Sequence, residues 1–155
     1  MQYYLAPFGP TAVTVAVDML EVTPSDDKPV WVWRCIIGQT TELGDAADEQ
    51  IEVSWVRGNT TTGSGGVAAA APKPIALSSP TAGFTFEALN TTAASAGTAV
   101  TVHHDFWGVL AGYNYVMLPE ERPDNSQATL LCWRLGAAPA DSVTMGGAAV
   151  IAEVG

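Results

Sequence analysis

The residues with the most chemical capacity stand in one short run, "AVTVHHDFWGV", at positions 99–109. His103 and His104 are the two histidines of the 155-residue chain, and Asp105 follows them. Imidazole and carboxylate are the usual ligands of a catalytic metal and the usual carriers of a proton. Their spacing limits what they can do. Successive side chains of a strand point to opposite faces, so the two imidazoles diverge and cannot share one ion in a regular strand. His103 then shares a face with Thr101 and Asp105, and His104 with Val102 and Phe106. This predicts a half-buried His104 and an exposed His103–Asp105 pair. A catalytic zinc takes three protein ligands. One imidazole and one carboxylate fall short of that unless a third ligand arrives from another strand, so a structural pair is the favoured reading.

Other reactive groups make weaker sets. Serines are common, but no Gly-x-Ser-x-Gly elbow is present. The "GSGG" at 63–66 has no helical pattern after it and reads as a flexible turn, not a phosphate loop. Glu120 and Glu121 lie in "LPEERP", a proline-bounded corner where adjacent acids point apart, with Arg122 to screen them. Cys35 and Cys132 are far apart, without CxxC spacing, and each sits in an apolar run. Buried free thiols are expected; a disulfide would need an oxidising compartment. No catalytic, cofactor-binding or metal-binding residue is assigned, no cofactor is implied, and the expectation is a protein that is not an enzyme.

The elements that carry these residues are strands. Apolar positions recur with a period of two. Segments 2–8, 11–22, 29–37, 50–58, 83–89, 98–106, 113–118, 128–135 and 146–154 all read this way, which predicts eight to ten strands. Val13, Val15, Val17, Met19 and Glu21 are expected on one face; so are Phe84, Phe86 and Ala88. In 29–37, Val30, Val32, Arg34 and Ile36 oppose Trp31, Trp33, Cys35 and Ile37. Helix evidence is confined to "TELGDAADEQ" at 41–50, which has room for one capped turn at Thr41. The fold class expected is all-β, an antiparallel β-sandwich with long Gly/Ala/Thr-rich loops, forming a single domain over residues 1–155. Residues 1–10 are expected to be an N-terminal arm or an edge strand.

Two loops are long and low in complexity, 58–74 and 89–98, and both contain "NTT". Loops of this kind are plain surface loops or lie across a neighbouring subunit. The glycosylation match of "NTT" is read as chance, because "MQYYLAPFGP" offers neither a basic start nor a long apolar run for export. No stretch reaches the ~20 apolar residues of a membrane span. Cytoplasmic synthesis without a membrane is therefore expected.

Composition adds a constraint. Charged residues are 14% of the chain, and sixteen acids against six bases give a formal net charge of -10. Phosphate backbones repel such a surface, so direct nucleic-acid binding is not expected. So little charge predicts that part of the surface is covered by other subunits. The five tryptophans, at 31, 33, 55, 107 and 133, lie in or beside strands and suit a core or an interface; a sugar-stacking platform would need them in an exposed row. Arg34 and Arg134 each interrupt an apolar run and are expected to need carboxylate partners, with Asp18, Glu21 and Glu52 as candidates across a subunit boundary.

Four blocks carry a resemblance: "CIIGQTTELGDAADEQIEVSWVRGNTTTGSGG" from Cys35, "NTTAASAGTAVTVHHDFW" from Asn90, "GYNYVMLPEERP" from Gly112, and the closing "APADSVTMGGAAVIAEVG". In layout and phrasing the chain resembles small β-rich virion proteins of tailed bacteriophages, the head decoration or cement proteins above all. The resemblance implies a jelly-roll-like sandwich, a homotrimer, seated on the virion and bound to the major capsid protein and to copies of itself. It carries no functional residues with it. A tail or fibre module that recognises host-surface glycans is the alternative function. A cupin-like metal enzyme using His103 and Asp105 is a third, weakened by the shortage of histidines.

Overall fold

The computed structural model describes residues 1–41, 48–126 and 128–155. Most of the turn expected at 41–50 therefore lies outside the described residues. The described chain is all-β. Its strands are β1 (Gln2–Val13), β2 (Val17–Thr23), β3 (Val30–Gln39), β4 (Gln50–Asn59), β5 (Val67–Ala70), β6 (Lys73–Pro74), β7 (Thr85–Asn90), β8 (Val100–Gly108), β9 (Tyr113–Val116), β10 (Asp124–Asn125), β11 (Leu130–Leu135) and β12 (Val143–Glu153). They form two antiparallel sheets. The first has the order β10-β3-β12-β1-β6, with β9 also on β3; the second has the order β5-β7-β2-β11-β4-β8.

The alternation read from sequence places the core correctly for most strands. Tyr4, Ala6 and Phe8 of β1 and Ile151 and Ala149 of β12 face Val53 and Trp55 of β4 and Leu131 and Trp133 of β11 within one apolar cluster. Phe84, Phe86 and Ala88 join it as expected. Trp55 and Trp133 are cross-strand partners with stacked rings 5.5 Å apart, and Phe8 meets Trp133 edge-on at 5.9 Å. Trp55 donates its indole N–H to Cys35 Sγ across the sandwich at 3.2 Å. Three wide rings in one layer exclude water from the centre, a burial of roughly 150–250 Å² for each.

Four expectations are corrected. Residues 11–22 are two strands: β1 ends at Val13, the chain crosses between sheets through 14–16, and Val15 is exposed. The phase holds through Val17 and then shifts at Met19, an extra residue where Trp133 pairs Leu20 and Arg134 pairs Asp18, so Leu20 and Val22 face the core and Glu21 faces outward with Asp18. Residues 2–10 are no arm, since β1 pairs with β12 along its length and with β6 at Tyr4 and Leu5. Arg34 is exposed, because β3 carries an extra residue at Trp33, where Val150 pairs Arg34 and Ile151 pairs Val32. Such a bulge reverses the alternation, and the inward residues become Val30, Val32, Cys35 and Ile37.

The fourth correction concerns the two long loops. Neither reaches away from the body; they pair with each other over the outer face of the second sheet. Thr61 bridges Ser95 and Ser64 bridges Thr92. β4 leads through its loop into β5, which pairs with β7, while β7 leads through its loop into β8, which pairs with β4. The two arches are thus exchanged about an approximate two-fold axis. Aligning "NTTTGSGG" from Asn59 with "NTTAASAG" from Asn90 maps one bridge onto the other. The backbone repeats as well. Gly58 and Leu89, which precede the two motifs, both have positive φ (96° and 58°), and so do Gly65 and Ala96 (88° and 55°). Leucine and alanine rarely adopt that region, so the arch geometry over-determines it.

Candidate functional site

The His103–Asp105 run lies on β8, the outermost strand of the second sheet, and faces β9 of the first. Val102 is an extra residue in β8, because Trp55 pairs His103 while Val56 pairs Thr101. The bulge turns His103 toward the sandwich and His104 outward, the reverse of the expected exposure. His103 is half-buried, its Nε2 lies 3.3 Å from the Tyr113 hydroxyl, and its ring packs 4.9 Å from Tyr115. Burial lowers the His103 pKa, against the opposing pull of Asp105 and Glu121. Burial raises the Tyr113 pKa, and the nearby Cys35 and Asp105 raise it further, Asp105 through a hydrogen bond as well as its charge. The direction of the hydrogen bond between His103 Nε2 and the Tyr113 hydroxyl is set by the imidazole tautomer. Tyr115 donates to Glu121 at 3.0 Å, and that bond, with burial second, raises its pKa.

The structure thus brings His103 and Asp105 together through a residue the sequence did not single out. Tyr113 lies ten positions on and in the other sheet, and no local spacing announces it. The chemistry of the group is conservative. Burial favours the neutral forms of both Tyr113 and His103, and among the described residues five surface cavities of roughly 200–320 Å³ are lined by other side chains. The network closes the open edge of the sandwich. His104 points outward and pairs with Glu52 at 3.3 Å.

A second polar group was only half visible in sequence. Asp18 and Glu21 of β2 and Cys132 and Arg134 of β11 occupy the outer face of the second sheet, beneath the crossed arches. Asp18, Glu21 and Cys132 are fully buried. Arg134 Nε donates to Asp18 Oδ1 at 2.7 Å, and its Nη2 donates to the Ala94 carbonyl at 2.8 Å. Asp18 was among the carboxylates expected for these arginines, but the pair forms within one chain and needs no subunit boundary. Burial pulls the Arg134 pKa down, yet the Asp18 bond and charge outweigh it and leave the value raised. Among the described residues Arg34 makes no such pair; its Nε donates to Asn114 Oδ1 at 2.9 Å.

The two acids hold the two arches in equivalent ways. Asp18 accepts the Ala94 N–H at 2.8 Å, and Glu21 accepts the Gly63 N–H at 2.9 Å. Gly63 and Ala94 are matching positions of the two arches. Asn59 and Asn90, also matching, are buried; Asn59 donates to the Ala94 carbonyl and Asn90 to Glu21 and Glu87. Glu21 Oε1 is buried with no partner. Burial raises the Glu21 pKa, and Glu87 and Asp18 add to the rise against the Gly63 and Asn90 bonds. A proton on this carboxyl lowers the cost of its desolvation.

Among the described residues, the group of three potential metal ligands is Asp18, Glu21 and Cys132, not the histidine run. Most of its donors are already committed, Glu21 Oε1 being the exception. Both Asp18 oxygens serve Arg134 and Ala94, burial and the two acids raise the Cys132 pKa, and the guanidinium supplies the positive charge that a cation would bring. The set is built as a clamp on the arches. The thiols are both free and buried, and burial pushes Cys35 up to about 12.

The first sheet's outer face is the third feature. Cross-strand register sets out its rows. One row runs Lys73, Leu5, Val150, Arg34 and Val116 across β6, β1, β12, β3 and β9. The next runs Pro7, Ala148, Ile36 and Asn114. The third runs Tyr3, Ala152, Trp31 and Asp124. The one acid among these, Asp124, is already paired with Arg57. Trp33, at the bulge, meets Tyr3 edge-on at 4.8 Å and is capped by the Arg122 guanidinium at 3.4 Å. Trp55, Trp107 and Trp133 are core residues, whereas Trp31 and Trp33 lie half-buried on this face. No helix is long and apolar enough to cross a membrane among the described residues. No family model, no curated protein and no solved structure matches the chain.

Proposed function

We propose that this protein is a structural, non-catalytic component of a tailed-bacteriophage particle, a capsid decoration or cement protein that stabilises the head through subunit contacts. One observation carries the reading: the outer face of the first sheet is lined across five strands by mostly apolar, part-exposed side chains, with the exposed Arg34 and Lys73 in its central row. A continuous apolar face marks an interaction surface. The low charge of the chain supports the same reading. So does the polar chemistry of His103, Asp18 and Glu21, which is spent on holding strands and arches together. A jelly-roll-like winding, a three-fold oligomer, the virion as location and the major capsid protein as partner belong to this proposal through the resemblance. Small contacts suffice for such a role because symmetry repeats each one many times.

The test is cosedimentation with expanded, empty heads of the phage whose genome encodes the chain. Saturable binding at a fixed ratio to capsomers, with raised resistance of the heads to heat, is expected. Heads that sediment without the protein would overturn the proposal.

A tail module for host glycans is a second reading, and one feature favours it. Trp31, Pro119, Arg122 and Asp124 line an open groove of about 270 Å³, with an aromatic face beside charged groups. Binding on a glycan array, abolished by Trp31→Ala, would replace the first reading with this one.

A further inference from the structure

We infer that the first sheet's outer face docks against the β8 rim of a second copy of this chain, with Arg34 seated on Glu52. The inference rests on the assembly reading and names the partner surface.

The argument is charge and shape. The chain has six Lys and Arg. Among the described residues, Lys28, Arg57 and Arg134 are paired with Glu153, Asp124 and Asp18. The three cations without a carboxylate partner are Arg34, Lys73 and Arg122, and all three border or lie within the apolar rows of the first sheet. Face-to-face packing of two such sheets would set cation against cation, so an isologous contact is disfavoured. The complementary surface lies on the same molecule. β8 is a nine-residue edge strand, and a long edge presents unpaired backbone groups to a neighbour. Its Phe106 is 54% exposed and pairs in register with Glu52; His104, two residues back, shares that side. Val100 and Leu110 are exposed at its ends, and Asp105 satisfies the Phe106 N–H that no strand takes. The rim is therefore apolar with one outward carboxylate, Glu52, which the Arg34 guanidinium would share with the His104 imidazole 3.3 Å from it, and the sheet face is apolar with cations. Joining unlike surfaces gives a heterologous contact, which repeats from copy to copy as a ring does.

Sedimentation velocity over a wide concentration range tests this on the intact protein. The wild type is expected to self-associate, more weakly at high salt. Arg34→Glu and Glu52→Arg are each expected to weaken association at least tenfold, with circular dichroism and the thermal midpoint checking that the fold is kept, since Arg34 is exposed but Glu52 is half-buried beside His104. The double variant R34E/E52R restores the charge pair and is expected to recover association. Phe106→Ser provides a second, uncharged probe of the rim and is expected to weaken association without salt dependence of the loss. A wild type that stays monomeric throughout overturns the inference, as does a double variant weaker than either single one. The two proposals fail separately. A monomer that still decorates heads removes this contact and leaves the decoration role; a self-associating chain that ignores heads does the reverse.

Discussion

The two outer faces of the sandwich solve one problem in opposite ways. Each sheet turns one side to the core and must do something with the other. The second sheet covers its outer side with its own chain. Two arches cross over it, and buried groups beneath them bind the arch backbone. The first sheet has no such arches among the described residues; its outer side is mostly apolar and part-exposed, with cations and almost no acid. The difference teaches where stability ends and association begins. Burying Asp18 and Glu21 required partners, and arch backbone, Arg134 and Asn90 supply them for three of the four oxygens, Glu21 Oε1 having none. Among the described residues the other face carries no buried acid of this kind; its contacts are the Arg34–Asn114 bond and the Arg122 cap on Trp33.

The contrast makes predictions that run from large to small. Asp18→Ala strands a guanidinium and the Ala94 N–H under the arches. It is expected to cost about 3–5 kcal/mol, the range for breaking a buried ion pair, read as a drop in the urea midpoint. A cost below about 1 kcal/mol would mean that the clamp behaves as a surface salt bridge. Gly63→Ala tests the arch itself. A Cβ there would lie 2.3 Å from the Thr92 carbonyl and 3.0 Å from Glu21 Oε2, so one arch must shift. A loss of about 1–3 kcal/mol is expected, as for overpacking generally, measured by thermal unfolding.

Glu21→Gln is smaller and depends on pH. The folded carboxyl has a pKa above its ordinary 4.5, so the folded state binds this proton more tightly than the unfolded chain does. The stability it contributes is complete below that ordinary value and fades as pH rises through the raised one. The amide keeps an acceptor for Gly63 and has no proton to lose. The variant is therefore expected to gain on the wild type from about pH 4.5 toward neutrality, and to lose that advantage in acid. Denaturant midpoints across that range decide it, and a difference that is flat with pH would remove the protonated carboxyl from the account. On the uncovered face, Val116→Ser is expected to change stability by no more than about 0.5 kcal/mol, as exposed sites do. A larger loss would mean that this face is part of the fold's own packing.

Much of the fold was legible. The period of two gives strands, and Phe84, Phe86, Trp55 and Trp133 fall inward as alternation requires. Buried free thiols at Cys35 and Cys132 follow from their apolar surroundings. The polar sites were far less legible. Arg34 was expected inside and is outside; His103 and His104 exchanged roles. Both errors have one cause, a single extra residue at Trp33 and at Val102, which shifts the phase of everything after it. Arg134 with Asp18 was foreseen as a pairing of types, but not as a bond within one chain.

By itself the sequence determined that this chain forms sheets with an apolar interior, because alternation is a local property written every second residue. It also determined that the matching "NTT" loops are alike, though not that they meet. Only the tertiary structure decided where the alternation slips, which polar groups share a neighbourhood, and which outer face is covered. Those outcomes depend on partners far along the chain, such as Tyr113 for His103 and Ala94 for Asp18. A strand's own residues carry no record of what will be laid across them.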